Sequence, residues 1–268
     1  MDGDKHGFSR DLEKMLVLSG SDKESVSADT PVTGRFGLGF KTAFLVTDSP
    51  RILSGRLAFR VVGGVYPEIL HADERSALED VARAASAAST QPSSATVLRL
   101  PVKDEDVAWR AVDRFRALTP MLVVFARSIR RCVVPRPGGA PAEAQWQPTH
   151  IVDGVSCGLL SVNADDDLPP RAILVGPPGT RDGLLFALDA RGFTQFPPNV
   201  PSIWVTAPTQ EETHLGFLIN GDFAVDIGRA QLAKHATVND RRGDQLGRSV
   251  GEHLCSLHAL ASEEWPRF

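Results

Sequence analysis

The residues whose spacing most directly suggests chemistry are three glycines in a Gly-x-x-Gly-x-Gly pattern: Gly34, Gly37 and Gly39. Glycine lets the backbone approach a ligand closely or adopt positive φ. The apolar run at residues 43–46 predicts a helix after the glycines, and free N–H groups at a helix N-terminus favour an anion such as phosphate. The segment therefore predicts nucleotide binding, with Arg35 and Lys41 as neighbouring cations.

Three common glycine loops fit this segment poorly. A Walker A loop needs adjacent Gly and Lys, but Phe40 separates Gly39 from Lys41. A Rossmann fingerprint needs a strand before its first glycine, whereas residues 25–31 read as a polar loop. A kinase glycine loop needs later His-Arg-Asp and Asp-Phe-Gly motifs, which the sequence lacks. A loop leading into a helix remains.

The run Gly-Arg-Phe-Gly-Leu-Gly-Phe at 34–40, followed by Ala-Phe-Leu-Val at 43–46 and Thr-Asp at 47–48, resembles the lid of a known ATPase superfamily. That superfamily includes gyrase, the ninety-kilodalton heat-shock chaperone, histidine kinases and mismatch-repair proteins. The resemblance is strongest to the ATP-binding module of sacsin and its bacterial relatives. It implies ATP as the ligand of a lid formed by Gly34, Arg35, Phe36, Gly37, Leu38, Gly39, Phe40 and Lys41.

The same resemblance implies two adenine contacts. In the family, an Asp-Gly motif accepts a hydrogen bond from the adenine amino group, and Asp2-Gly3 is the match here. Asp4 with Gly7 is a second alignment, and a solvated chain terminus is the structural alternative. A strand threonine of the family reaches adenine through water, and Thr96 in the alternating segment 95–101 stands at that place. The alternative for Thr96 is a β-branched residue that fills a strand.

A second segment, residues 215–232, resembles the strand, Asn-Gly turn and arginine of sacsin repeats. The middle domain of the heat-shock chaperone has an arginine in a similar loop that reaches the γ-phosphate of ATP. The resemblance implies this catalytic, phosphate-sensing role for Arg229, and the planar, permanently charged guanidinium suits phosphate. An ion pair with Asp226 or a capped carbonyl is the structural alternative.

The family's hydrolytic machinery is not matched. A helix before the Asp-Gly motif supplies an acidic general base and an Asn that holds Mg²⁺, but no Glu-x-x-x-Asn segment precedes Asp2. Hydrolysis needs a base, a positioned water and a metal that bridges phosphate oxygens. We therefore expect an N-terminally incomplete ATPase site: Mg²⁺ belongs to the family, its ligand is missing here, and whether the chain is an enzyme stays open.

Composition narrows the remaining classes. A chain of 268 residues with 42% hydrophobic residues can bury a core, and its net charge of -4 gives no basic footprint for nucleic acid. The three cysteines, Cys132, Cys157 and Cys255, lack zinc spacing and suit free thiols in a reducing cytoplasm. The sequence has no apolar run of about 18 residues, so we expect no membrane partner.

The helical and strand patterns around these residues predict an α+β fold in two parts. Residues 1–136 are expected to form an N-terminally truncated, two-layer Bergerat-type ATP-binding sandwich of helices on a sheet, and residues 137–268 a β-rich α+β domain like the chaperone middle domain. A Pro- and Gly-rich stretch, residues 135–141, is the predicted linker. Helical patterns cover residues 73–89 and 237–260, and strands are expected at 149–162, 171–175, 184–189 and 202–206.

The sequence thus predicts an adenine-nucleotide-binding module of a chaperone-like or signalling ATPase, not hydrolytically competent as an isolated chain. Its expected partners are an adenine nucleotide and a protein client or partner chain. The alternative is a degenerate protein-interaction module without nucleotide binding. The two hypotheses differ in whether ATP stabilises the folded chain.

Overall fold

The computed structural model describes residues 40–87, 95–126, 129–136, 138–152, 155–162, 171–177, 179–226, 228, 230–234 and 236–260. The side chains at positions 41, 149–152, 157, 161, 162, 257 and 260 lie outside that description. The chain divides into two compact units between Arg110 and Ala111, and each unit is considered by itself.

The first unit contains a small antiparallel sheet. A 3-10 helix, Phe40–Leu45, leads into it. The other elements are the strands β1 (Arg51–Ser54), β2 (Leu57–Val62), β3 (Tyr66–Ile69) and β4 (Thr96–Arg99), with helix α1 (Ala72–Ala87) between β3 and β4. The strand order is β3-β2-β1-β4, and every pairing in it is antiparallel. Gly63 and Gly64 between β2 and β3 both have positive φ, which explains glycine at this turn.

Both faces of the small sheet are covered in part. On one face, Leu53 and Ala58 pack with Leu78 of α1, which is 1% exposed. On the other face, Ile52, Phe59 and Val61 form a buried cluster against which Phe40 and Phe44 of the 3-10 helix pack. Because side chains alternate between the faces of a strand, neighbouring residues such as Ile52 and Leu53 serve opposite layers.

The second unit is built on a nine-stranded sheet. Helix α2 (Glu105–Phe125) begins before the division between the units and continues into this one. The strands are β5 (Arg131–Val134), β6 (Ala142–Val152), β7 (Val155–Val162), β8 (Arg171–Val175), β9 (Gly183–Asp189), β10 (Gly192–Thr194), β11 (Ile203–Val205), β12 (Ala207–Pro208) and β13 (Leu218–Asn220), and helix α3 (Thr237–Leu260) follows them. Strands β5 to β9 form a meander in sequence order, and β13 joins β9 to β11.

Helices cover both faces of this sheet. Strand β8 shows the alternation: Ala172 and Leu174 belong to the core under the C-terminal half of α2, while Ile173 and Val175 belong to the core under α3. A strand buried on both faces reads as a continuous apolar run, which is how residues 172–175 read. The larger core contains the fully buried Phe125 and Trp204, whose ring centroids lie 5.4 Å apart.

Mixed α+β architecture is therefore confirmed, as are the predicted helices near 73–89 and at 237–260. The predicted linker, residues 135–141, connects β5 and β6, two strands that pair in one sheet. A domain boundary at residue 136, with parts 1–136 and 137–268, stays a prediction. Among the described helices, none has the length and apolarity that a membrane span needs.

Candidate functional site

Most of the sequence-predicted site residues lie outside the described part of the chain. They are Asp2, Gly3, Gly34, Arg35, Phe36, Gly37, Leu38, Gly39 and Arg229. Lys41 lies within the 3-10 helix, but its side chain is not described. Phe40 and Thr96 are the two predicted contacts whose side chains can be placed. The predicted roles of the other residues stay predictions.

The helix predicted after the glycines is present as a six-residue 3-10 helix. Phe40 and Phe44 meet edge to face, with ring centroids 6.0 Å apart and planes at 89°, an arrangement that the aromatic quadrupole favours. Both rings pack against the buried cluster of Ile52, Phe59 and Val61. The end of the glycine segment is thus fixed to the small sheet through two aromatic side chains.

The Thr-Asp pair that follows the helix secures the next turn. Thr47 is completely buried, and its hydroxyl oxygen accepts a hydrogen bond of 3.3 Å from the backbone N–H of Ser49. The carbonyl of Val46 accepts a bond of 3.2 Å from the N–H of Lys103, whose ammonium group lies 2.6 Å from the Asp48 carboxylate. That ion pair is exposed and therefore contributes little, so the buried Thr47 and the backbone bonds hold the segment.

Thr96 opens edge strand β4 directly opposite Ser54 of β1. The two hydroxyl oxygens lie 3.0 Å apart in a hydrogen bond. Ser54 is two residues from Ile52 in the same strand, so Thr96 and Ile52 occupy the same face of the sheet. Leu98, opposite Ile52, shares this face and is 48% exposed.

The register therefore brings two predicted contacts together on one face of the small sheet, which we call the lid face: Phe40, Phe44, Ile52, Ser54, Phe59, Thr96 and Leu98. This face offers an aliphatic and aromatic surface beside two hydroxyl groups. An aromatic ring can stack on such a surface, and its edge can hydrogen-bond to the hydroxyls. Ser54 and Leu98 could not be assigned to this face from the sequence, because their place depends on the β1–β4 register between segments about 40 residues apart in the chain.

Charged side chains concentrate on the opposite face. Arg60 donates a 2.8 Å hydrogen bond to Glu68, which raises the pKa of the Arg60 guanidinium and lowers the pKa of the Glu68 carboxyl. Arg51 forms an ion pair of 2.9 Å with Glu74 of α1. These charges border the layer packed on α1 and leave the lid face largely uncharged, which suits a neutral heterocycle better than a phosphate.

Asp226 closes a turn with residues 230–232. Its Oδ1 accepts hydrogen bonds of 2.8 Å from the N–H of Ala230 and 3.2 Å from the N–H of Gln231. A backbone bond of 3.0 Å from Asp226 to Gln231 and a bridge between Val225 and Leu232 complete the turn. From the sequence, Asp226 was considered only as an ion-pair partner of Arg229. An Asp whose side chain accepts bonds from nearby backbone N–H groups is typical of such a turn.

Other site chemistry is limited in the described ranges. They contain no group of three or more His, Cys, Asp or Glu side chains arranged to hold a metal ion. Cys132 and Cys255 are free thiols, and burial raises the pKa of the Cys132 thiol. A raised thiol pKa reduces the thiolate fraction, so Cys132 is suited to packing rather than to nucleophilic attack.

Comparisons with known proteins add no relative. The chain matches no protein-family model, no curated protein and no solved structure. The functional interpretation of the lid face and of the Asp226 turn therefore rests on their geometry and on the sequence.

Proposed function

We propose that this chain binds an adenine nucleotide, with ATP as the ligand, on the lid face of its first unit. The observation that carries the proposal is the placement of Thr96 on the sheet face where Phe40 and Phe44 fix the end of the glycine segment. Two segments separated by about 50 residues of sequence, and singled out for the same ligand, meet on one surface. The finer fold that this implies is the Bergerat-type sandwich of helices on a sheet.

The exposed chemistry of the lid face suits adenine. Leu98 is 48% exposed, and Thr96 lies two residues before it on the same face, so an aromatic base can cover aliphatic surface while a nitrogen atom reaches the Thr96 hydroxyl. Burying such a ring is favourable at roughly 25 cal/mol per Å² of apolar area. The Thr96 hydroxyl is exposed at the strand end, where a ligand or a bridging water can reach it.

Residues outside the described part of the chain would bind the phosphates. We assign the phosphates to the backbone of residues 34–39 with Arg35 and Lys41, and γ-phosphate sensing to Arg229. Mg²⁺ would enter with the phosphates, because bound nucleotides carry it there. We place the chain in the cytoplasm, where free thiols such as Cys132 and Cys255 persist. Binding without hydrolysis is the activity proposed for the isolated chain.

Ligand-dependent stability tests the proposal. Thermal unfolding is followed with ATP, ADP, GTP and inorganic triphosphate, each with and without Mg²⁺. ATP at 100 times its dissociation constant should stabilise the folded chain by about 2.7 kcal/mol. GTP should stabilise it less because its base presents a different hydrogen-bonding edge. The variant Gly37→Ala should lose the ATP response while it keeps the same melting temperature without ligand.

The absence of any shift at millimolar ATP would remove nucleotide binding from this chain and leave the protein-interaction module. An equal increase in melting temperature with ATP and with triphosphate would also overturn the proposal, because triphosphate lacks the base that the lid face would bind.

A further inference from the structure

The second unit contains a small open cavity lined by α2 and by the segment 198–212. Its volume is about 160 Å³. It is lined by Arg114, Pro198, Asn199, Pro201, Thr209, Gln210, Glu211 and Glu212. Sites for drug-sized ligands measure roughly 300–1,000 Å³, so this one suits a smaller molecule.

One wall is a proline-rich turn held by the core. The N–H of Val200 donates a bond of 3.0 Å to the carbonyl of Pro197. The carbonyl of Pro201 accepts a bond of 2.7 Å from the indole N–H of Trp204, a side chain that is completely buried. Two proline rings on a backbone fixed in this way present a rigid apolar surface to the cavity.

The lining formed by residues 209–212 is fixed by its own hydrogen bonds. Thr209 is 5% exposed, and both its N–H and its hydroxyl donate to the carbonyl of Ile203, at 3.0 and 2.8 Å. The Thr209 hydroxyl oxygen also accepts a bond of 3.2 Å from the N–H of Glu211. Glu211 Oε1 in turn accepts a bond of 3.0 Å from the N–H of Leu232. The wall is therefore formed before any ligand arrives, which reduces the entropy cost of binding.

The cavity carries charges of both signs that do not pair with each other. Within the described residues Arg114 makes no ion pair, although Glu211 and Glu212 line the same cavity. Glu212 has His214 at 3.8 Å, a contact that is ionic only when the histidine is protonated. With one arginine and two glutamates, the lining has a net charge of -1 by the arithmetic +1 - 2.

We propose that this cavity is a binding site for a small basic amino acid, with the α-carboxylate on Arg114 and the cationic side chain on the glutamates. A guanidinium pairs with a carboxylate through two parallel hydrogen bonds. A cationic group on the ligand pairs with Glu212 and with the Glu211 oxygen that does not accept from Leu232, and a ligand of net charge +1 neutralises the lining. Asn199 and Gln210 supply amide groups for the α-amino end.

Three probes separate the parts of this recognition by isothermal titration calorimetry on the full chain. L-Arginine carries both the carboxylate and the cation, agmatine lacks the carboxylate, and L-citrulline lacks the side-chain charge. L-Arginine should bind with a dissociation constant of about 1 mM or tighter, and each of the other two about tenfold more weakly.

Two variants assign the contacts. Arg114→Gln should weaken L-arginine to the level of agmatine and leave agmatine unchanged, because only the carboxylate contact is lost. Glu212→Gln should weaken L-arginine and agmatine alike and leave L-citrulline unchanged. Arg110→Gln is the matched control, since this exposed arginine of the same helix does not line the cavity and should leave all three affinities intact.

Three results would overturn the proposal. The first is the absence of saturable heat with L-arginine or L-lysine at high millimolar concentration. The second is equal binding of L-arginine and agmatine by the unsubstituted chain. The third is an Arg114→Gln chain that folds, as its circular dichroism and melting temperature would show, and still prefers L-arginine over agmatine.

Discussion

The hydroxyls of Ser54 and Thr96 lie 3.0 Å apart across the β1–β4 pairing, on the face where the 3-10 helix packs. A hydroxyl group can donate one hydrogen bond and accept two, so the mutual bond leaves the Thr96 hydroxyl with capacity for a ligand. A ligand contact of the Thr96 hydroxyl can therefore be tested separately from the contribution of Thr96 to the strand.

Thr96→Val keeps the β-branched shape and removes the hydroxyl. We expect it to abolish most of the ATP-dependent stabilisation while it lowers unfolding free energy by about 0.5–1.5 kcal/mol, the net value of one hydrogen bond. Ser54→Ala removes the same internal bond but leaves the Thr96 hydroxyl in place, so it should retain more of the ATP response than Thr96→Val. Urea unfolding with and without ATP measures both effects, and equal loss of the response in the two variants would assign Thr96 a structural role only.

Phe44→Ala removes an aromatic anchor between the 3-10 helix and the Ile52–Phe59–Val61 cluster. Fully buried Phe→Ala changes cost about 3–5 kcal/mol, and we expect about 2–3 kcal/mol for this partly buried ring. Tyr66→Ala is the control in the same sheet, because Tyr66 is 66% exposed and should cost less than 1 kcal/mol, on the order of a surface substitution. Urea denaturation decides; comparable losses would contradict the packing described.

Asp226→Ala removes the acceptor for the N–H groups of Ala230 and Gln231. We expect faster hydrogen exchange at those two amides and a loss of about 0.5–1.5 kcal/mol of stability in the second unit, because these bonds are exposed and the freed N–H groups can bind water. Asp226→Asn keeps an acceptor oxygen and should restore most of the protection. Exchange measured by NMR tests this, and unchanged rates in Asp226→Ala would show that the backbone pairing alone closes the turn.

The ion pair of Arg131 with Glu143 should be visible as a pH dependence. Two bonds of 2.7 Å from the guanidinium lower the pKa of Glu143 in the folded chain. The resulting stabilisation is present above the unfolded-state pKa, about 4.3, and is lost as the pH falls through the lower folded-state value. Glu143→Gln should therefore be less stable than the unsubstituted chain at pH 7, and the difference should disappear in acid.

Equilibrium unfolding at both pH values measures this difference. Glu252→Gln on helix α3 serves as the control, because no described residue forms an ion pair with Glu252. A Glu143→Gln chain with the same pH profile as the unsubstituted protein would contradict the contribution of the pair.

Local patterns predicted many elements of the fold and few of its contacts. The helical spacing of residues 237–260 and the alternation of residues 95–101 arise within a few residues, and both are present. The acids at 104–106 and the apolar residues at 109, 112, 115 and 118 predicted the first part of α2, but its continuation through Pro120 was less apparent, because proline breaks most helix interiors. Here Pro120 is buried with Met121, so packing outweighs the lost backbone bond.

The candidate sites show the same division. The glycine spacing and Thr96 could be recognised in the sequence, but the position of Ser54 opposite Thr96 could be known only from the β1–β4 register. The cavity at Arg114 was not apparent, since Glu211 and Glu212 lie about 100 residues further along the chain. Such long-range pairings depend on tertiary packing that no local periodicity encodes.

Glu211 both lines the cavity and stabilises the turn closed by Asp226. One of its oxygens holds the N–H of Leu232, the neighbouring Gln210 N–H donates a 2.6 Å bond to Ala230, and its side chain lines the cavity. A ligand that draws this carboxylate away from Leu232 thereby loosens the turn that Asp226 closes. Because linkage is reciprocal, any event that orders that turn must change the ligand's affinity by the same factor. The carboxylate would thus couple occupancy of the cavity to the order of the turn that Asp226 closes.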